Sequence, residues 1–316
     1  MVVSSIIGAM YPIRRASHSA FVPIRGLQYH VRTWGDDGTD ATQPPLVLVH
    51  GWMDVAASWQ FMVDALSPSF LRGRRIFAPD WRGFGHTAAP PGTDHFVFPD
   101  YLGDLDALLD TLVGAQPVDL IGHSMGGNVA MMYAGVRPQR IRRLVNLEGF
   151  GLPATQPEQA PARLAQWLDE LRALHAGELR LKEYDSAEAV AQRLMKTNPR
   201  LSPDKAAWLA QHWAEPDAAG RWRILGDAAH KITNPTLYRV EEALAIYRAI
   251  TAPVLAIEAD GDSLGQWWQG RYRLAEYHER LRAVPDCRVA VVMDAGHMLH
   301  HDQPDELARL IENFLA

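Results

Sequence analysis

Val118-Asp119-Leu120-Ile121-Gly122-His123-Ser124-Met125-Gly126-Gly127 is the stretch on which the reading of this chain turns. An aliphatic run, Val118–Ile121, ends in Gly-x-Ser-x-Gly, and the residues from Ser124 to Val136 continue with helical spacing, rich in Ala and Met, stopping before Pro138. A strand that turns sharply into a helix needs small residues on both flanks of the turn. The residue at its tip then stands clear of the backbone, at the positive end of the helix. Ser124 occupies that tip and is the candidate nucleophile.

A serine hydroxyl attacks only when a base takes its proton, and the base must itself be oriented by a third group. Two loops downstream supply candidates. The run Arg288–Met293 leads into Asp294-Ala295-Gly296-His297, which places His297 just past the carboxyl end of a strand, where ligands gather in open α/β sheets. The run Val254–Glu258 leads into Ala259-Asp260-Gly261-Asp262, which places Asp262 at the same edge. The order Ser124, Asp262, His297 suits a Ser-Asp-His constellation. Asp262 is therefore the expected orienting acid, with Glu148, after Leu144–Leu147, and Asp260 as alternatives. Donors for an oxyanion are expected from the Met125 N–H and from the Trp52 N–H, on the His50-Gly51-Trp52 turn after another aliphatic run. His50 itself is assigned a structural hydrogen bond, and His300 and His301 structural or surface roles.

Working outward, short aliphatic runs alternate with helical patterns, as when parallel strands are joined by crossover helices. The strand candidates are Leu46–His50, Arg75–Pro79, Val118–Ile121, Leu144–Leu147, Val254–Glu258 and Arg288–Met293. Their continuous apolar character predicts burial on both faces. Phe21–Arg25 and Leu27–Thr33 read as an antiparallel hairpin around Gly26. Tyr101–Leu112 and the segment after Pro304 have clear helical periodicity, the latter with Asp302 or Gln303 as cap. Between about Gly151 and Ile250 no central-strand candidate occurs. Pro161–His175, Ala187–Met195, Lys205–Trp213 and Leu237–Ile250 read there as the helices of an inserted cap. The expected organisation is thus an N-terminal extension over 1–19, a core over 20–150 and 251–316, and a helical cap over 151–250. Trp167, Trp208, Trp213 and Trp222, with Trp267 and Trp268 nearby, either fill the cap's core or wall a ligand cavity. The segment His230–Pro235 joins cap helices as a solvated or cavity-facing loop.

The chain has 316 residues, 47% of them hydrophobic and 22% charged, as expected of a globular protein able to bury a large core. Its 37 acidic residues outnumber 31 basic ones, leaving a formal charge of -6, so nucleic acid is excluded as an expected partner. The single cysteine, Cys287, forms no internal disulfide and has no neighbours with zinc-ligand spacing; it reads as a strand-edge side chain. Val2–Met10 is too short to span a membrane and lacks a preceding basic residue, so a cytoplasmic protein with a frayed N-terminus is expected.

These residues resemble the α/β-hydrolase superfamily. The resemblance rests on His50-Gly51-Trp52, on Asp80-Trp81-Arg82-Gly83-Phe84-Gly85-His86-Thr87, on Gly122 to Gly127, on Pro253 through Asp262, and on Gly296-His297. It implies a mostly parallel sheet of about eight strands flanked by helices, a helical cap after the sixth strand, and Arg82 and Gly83 as scaffold beside the site. Relatives that open epoxides or remove halide carry Asp at the elbow, where this chain has Ser124. The departures are Thr87 for Ser and Ala259 for Gly. The resemblance implies a serine hydrolase acting on a carboxylic ester or similar small acyl substrate, with no cofactor or metal. The alternatives are a meta-cleavage C–C hydrolase, in which Arg193 or Arg239 binds a substrate carboxylate, and a non-catalytic ligand-binding protein.

Overall fold

A computed structural model describes residues 10–35 and 41–316. Eleven strands occur among them: β1 (His18–Ile24), β2 (Leu27–Trp34), β3 (Leu46–Val49), β4 (Ile76–Pro79), β5 (Val118–His123), β6 (Ile141–Leu147), β7 (Glu183–Tyr184), β8 (Ala214–Pro216), β9 (Trp222–Ile224), β10 (Val254–Ala259) and β11 (Cys287–Val292). Eight of them form one sheet in the order β1-β2-β4-β3-β5-β6-β10-β11. The hairpin β1–β2 is antiparallel, and β2 also pairs antiparallel with β4; from β4 to β11 the neighbours run parallel. The nucleophile strand β5 therefore lies at the centre, and the carboxyl ends of β3, β5, β6, β10 and β11 share one edge.

Alternating side chains of the strands feed two cores. Val47, Val49, Leu120 and Leu144 face the helices Phe98–Val113 and Met125–Val136, while Leu46, Leu48, Ile121 and Val145 face the helices Gln60–Ala65 and Pro304–Leu315. Each such fully buried aliphatic side chain contributes about 1.5–3 kcal/mol, which is why four-residue strands suffice at the centre.

β11 differs from its expectation. It is an edge strand, so Val289 and Val291 are about half exposed and Val292 is the fully buried member of the run. The continuous apolar pattern predicted two covered faces, but burial follows a strand's position in the sheet as well as its composition.

The segment 151–250 contains the helices Ala160–His175, Ala187–Thr197, Pro203–Trp213 and Val240–Arg248, close to the expected ranges. It is not wholly helical. β7, β9 and β8 form a small antiparallel sheet within it, which two- and three-residue strands with no clear alternation did not betray in the sequence. Trp208 packs with Phe61, Tyr184, Val190 and Leu209 in a third core, with Trp213 and Trp222 against it, so these tryptophans serve mainly as packing.

The first nine residues, which carry most of the Val2–Met10 run, lie outside the described residues. From Tyr11 the chain is tied down: its N–H donates to Asp204 O (3.2 Å), and the Arg15 guanidinium donates to Val63 O and Leu66 O. The expected extension over 1–19 thus already belongs to the packed structure in its second half, and β1 begins at His18. Among the described residues no helix is long and apolar enough to cross a membrane.

Candidate active site

Ser124 joins β5 to the helix Met125–Val136 with φ 53° and ψ -116°, a conformation that non-glycine residues avoid and that costs of order 1–3 kcal/mol. The surroundings hold it there. Ser124 N–H donates to Leu147 O (2.8 Å) and Ser124 O accepts from Asn128 N–H (3.0 Å). A Cβ placed on Gly122 would lie 2.4 Å from Gly126 O, and one on Gly126 would lie 2.3 Å from Val49 O. Both glycines are thus required by close backbone approach, which is the physical content of the Gly-x-Ser-x-Gly pattern. The turn after β3 reaches the same place, since a Cβ on Gly51 would meet Ser124 Cβ at 3.0 Å. His50, buried beneath that turn, donates from Nδ1 to Gly51 O (2.8 Å) and accepts the Trp81 N–H at Nε2 (2.9 Å), the structural role expected of it.

His297 lies on the loop after β11, and its carbonyl accepts a hydrogen bond from His123 Nε2 (2.7 Å). The neighbour of the serine therefore anchors the histidine loop. Burial pushes the His297 imidazole down to about 3, so it is neutral at pH 7. Its Nδ1–H donates to Glu148 Oε2 at 3.0 Å, leaving Nε2 as the nitrogen available to take a proton.

The carboxylate that accepts from His297 is thus Glu148, in place of the expected Asp262. Asp262 caps the helix Ser263–Trp268, where its Oδ1 accepts the Gly265 N–H at 2.7 Å. Asp260 Oδ1 accepts the Ala295 N–H at 3.0 Å. Glu148 follows β6, which lies between β5 and β10, one strand closer to the serine than the loop carrying Asp260 and Asp262. It is 2% exposed; Oε1 accepts the Ala259 N–H (2.8 Å), and Oε2 also accepts from Ser263 Oγ. Burial pushes its carboxyl up to about 7, against the lowering effect of the Ser263 and Ala259 bonds.

Two further residues at the site carried no signal of this role in the sequence. Ser263 orients Glu148. Trp267, half exposed, sets its ring edge-on to His297 with centroids 3.9 Å apart. Met125 is the first residue of the helix after Ser124, and Trp52 lies on the turn after β3, where its indole donates to His230 O (3.3 Å).

His230 corrects the expectation of a solvated or cavity-facing loop. Its ring is stacked between Phe84 and Phe96, 3.7 Å from each, and fastens the 151–250 segment to the Gly83–Phe84 loop; Gly85 N–H adds a bond to Leu225 O (2.9 Å). Arg82 pairs with Asp104 through Nε (2.5 Å), the scaffold role expected of it. Asp80 is fully buried; burial would raise its carboxyl, but the bonds from His30 and from Ala56 N–H hold it below the usual range.

Arg193 bonds to Thr197 and borders an open cleft of about 580 Å³ that contains none of the residues around Ser124. Arg239 is exposed and faces Glu242 at 3.8 Å. Cys287, at the start of the edge strand, has its thiol pushed up to about 11 by burial, which removes it as a nucleophile at neutral pH.

The comparisons with known proteins bear on the family and the fold. The chain is 24% identical to a "Serine hydrolase-like protein" of Danio rerio over 96% of this chain and 90% of that one. It is 26% identical to the "sn-1-specific diacylglycerol lipase ABHD11" of Mus musculus, over 88% and 82% respectively. Among solved structures, the "Thioesterase Domain From Curacin Biosynthetic Pathway" superposes with a TM-score of 0.79 at 24% identity, covering 94% of this chain and 99% of that one. The family model described as "alpha/beta hydrolase fold" matches residues 44–304, and the chain belongs to that family, with hydrolysis as its class of reaction.

Proposed function

We propose that the chain is a serine hydrolase that cleaves a carboxylic ester or similar small acyl compound through an acyl-enzyme, with Ser124 as nucleophile, His297 as base and Glu148 as the group that orients it. The observation that carries this reading is the His297 Nδ1–Glu148 Oε2 bond on a loop anchored by His123, the neighbour of a serine held at φ 53°. Glu148 fixes the tautomer, so Nε2 carries the lone pair. Ser124 Oγ attacks the carbonyl carbon while His297 Nε2 takes its proton, and the oxyanion is met by the N–H groups of Met125 and Trp52, each such donor worth roughly 3–4 kcal/mol in the best-measured case. The tetrahedral intermediate collapses as Nε2 returns the proton to the leaving alcohol. Water, deprotonated by the same nitrogen, then releases the acid.

In this reading residues 20–150 and 251–316 form the catalytic core and residues 151–250 a cap over Ser124, with Trp267 as one wall beside His297. The ester reading is favoured over the C–C reading because Arg193 and Arg239, the cap arginines suggested for a substrate carboxylate, have partners of their own. The Ser124→Ala variant is expected to fold, to lose ester turnover by on the order of 10⁴-fold or more, and to resist a fluorophosphonate probe that labels the wild type. Turnover or labelling equal to wild type in that variant overturns the assignment.

A further inference from the structure

Beside His123 lie Asp54 and His300, neither of which the proposed reaction uses. Asp54, His123 and His300 are 6%, 2% and 0% exposed, and one ligand atom from each lies within 4.8 Å of the others. Burying a polar atom without a partner is expensive, roughly 1–3 kcal/mol each. Yet Asp54 Oδ2, His123 Nδ1 and His300 Nδ1 all lack a hydrogen-bond partner. Three buried residues gathered in one place, each with an atom left unpartnered, are not explained by fold maintenance, although His300 Nε2 is bonded to Ser58 Oγ (3.1 Å).

The tautomer of His123 is set by its other nitrogen. Nε2–H donates to the His297 carbonyl at 2.7 Å, so Nδ1 carries a bare lone pair. This is the arrangement in which one ring nitrogen binds a metal while the other is fixed by a backbone carbonyl. The His300 ring lies 4.5 Å from that of His123, and its Nε2 is 3.9 Å from Asp54 Oδ2.

We propose that Asp54, His123 and His300 form a binding site for a divalent transition-metal ion of the zinc class. Two imidazole nitrogens and one carboxylate oxygen suit Zn²⁺ and its neighbours, whereas Ca²⁺ and Mg²⁺ require six or more oxygens. Bonds of about 2.0–2.1 Å in tetrahedral geometry put ligand atoms roughly 3.4 Å apart; the observed spread closes to that with side-chain shifts of about an ångström. Three protein ligands leave the fourth position to water. The site is one residue from Ser124 and one hydrogen bond from the His297 backbone, but it does not depend on the reaction assigned to them, so binding is read directly.

The test is equilibrium dialysis of the full chain against Zn²⁺ with metal analysis, together with the visible absorption of the protein loaded with Co²⁺. One Zn²⁺ per chain is expected, with the intense d–d bands of four-coordinate Co²⁺. Asp54→Asn and His300→Gln, each checked for native circular dichroism, should lower the affinity at least about tenfold, as loss of a ligand does. His175→Ala, which alters the exposed Asp94–His95–His175 group, should leave it unchanged. The Co²⁺ spectrum needs no variant and keeps the test decisive if a substitution unfolds the chain. The site is overturned by failure of the wild type to hold stoichiometric ion, as when water satisfies the same three atoms. It is equally overturned by a purely six-coordinate Co²⁺ spectrum, or by binding that survives in the Asp54 and His300 variants and disappears in His175→Ala.

Discussion

Glu148 and Asp262 both leave strands at the carboxyl edge of the sheet, and both are carboxylates of suitable reach. Sequence order favoured Asp262. The structure separates them by what else each must do: Asp262 is the cap of Ser263–Trp268, while Glu148 is enclosed by Ala259 N–H, Ser263 Oγ and His297 Nδ1. Ser124 and His297 were legible as candidates because strained turns and strand-end loops have local sequence signatures. The acid was not, because its choice depends on which strand lies next to β5, and Glu148 followed a strand with no motif after it. Ser263 and Trp267 were hidden for the same reason, since nothing local distinguishes a serine that bonds a buried carboxylate from one in an ordinary turn.

At the scale of elements, the central strands and the long helices were readable from apolar runs and 3.6-residue periodicity, with ends displaced by a few residues. β7, β8 and β9 were not, being too short to show a period, and the exposed face of β11 reflects a position in the sheet that composition does not encode. His230 is one of several contacts between core and 151–250 segment, beside the Phe61–Trp208 packing and the Asn198–Asp302 bond, and its two aromatic stacks are each worth about 0.5–1.5 kcal/mol beyond area burial. His230→Ala is therefore expected to destabilise the protein by about 2–3 kcal/mol and lower the Tm by several degrees in thermal melts. A loss below about 0.5 kcal/mol would show that the sandwich does not fasten the segment.

For the whole molecule, the number of buried imidazoles governs the response to acid. Burial holds His230, His297 and His301 down to about 3 and His212 to about 4, and lowers His50, His123 and His300 as well. In the unfolded chain these seven bind protons near pH 6.5, whereas the native state does not. Unfolding therefore takes up protons between about pH 6.5 and 3, and stability falls as pH falls through that window. Asp54 and Glu148, raised by burial to about 7, act in the opposite sense between their unfolded values and pH 7, and Glu258 and Asp302 are also raised. Seven imidazoles against four carboxyls leave the balance with acid destabilisation. The Tm is expected to be highest at pH 7 or above and several degrees lower at pH 5.5; a Tm that holds or rises on acidification contradicts the assignment of neutral buried imidazoles.

The orienting role of Glu148 is the claim most open to direct measurement, by steady-state ester hydrolysis of Glu148→Gln and Asp262→Asn beside the wild type, with folding checked by circular dichroism. Glutamine keeps the size of Glu148 but loses the charge that stabilises the imidazolium and fixes the tautomer, so kcat should fall by about 10³–10⁴-fold. Asparagine caps a helix as well as aspartate does, so Asp262→Asn should keep its fold and stay within about threefold of wild type. Near-normal kcat in Glu148→Gln together with collapse in Asp262→Asn would contradict the account.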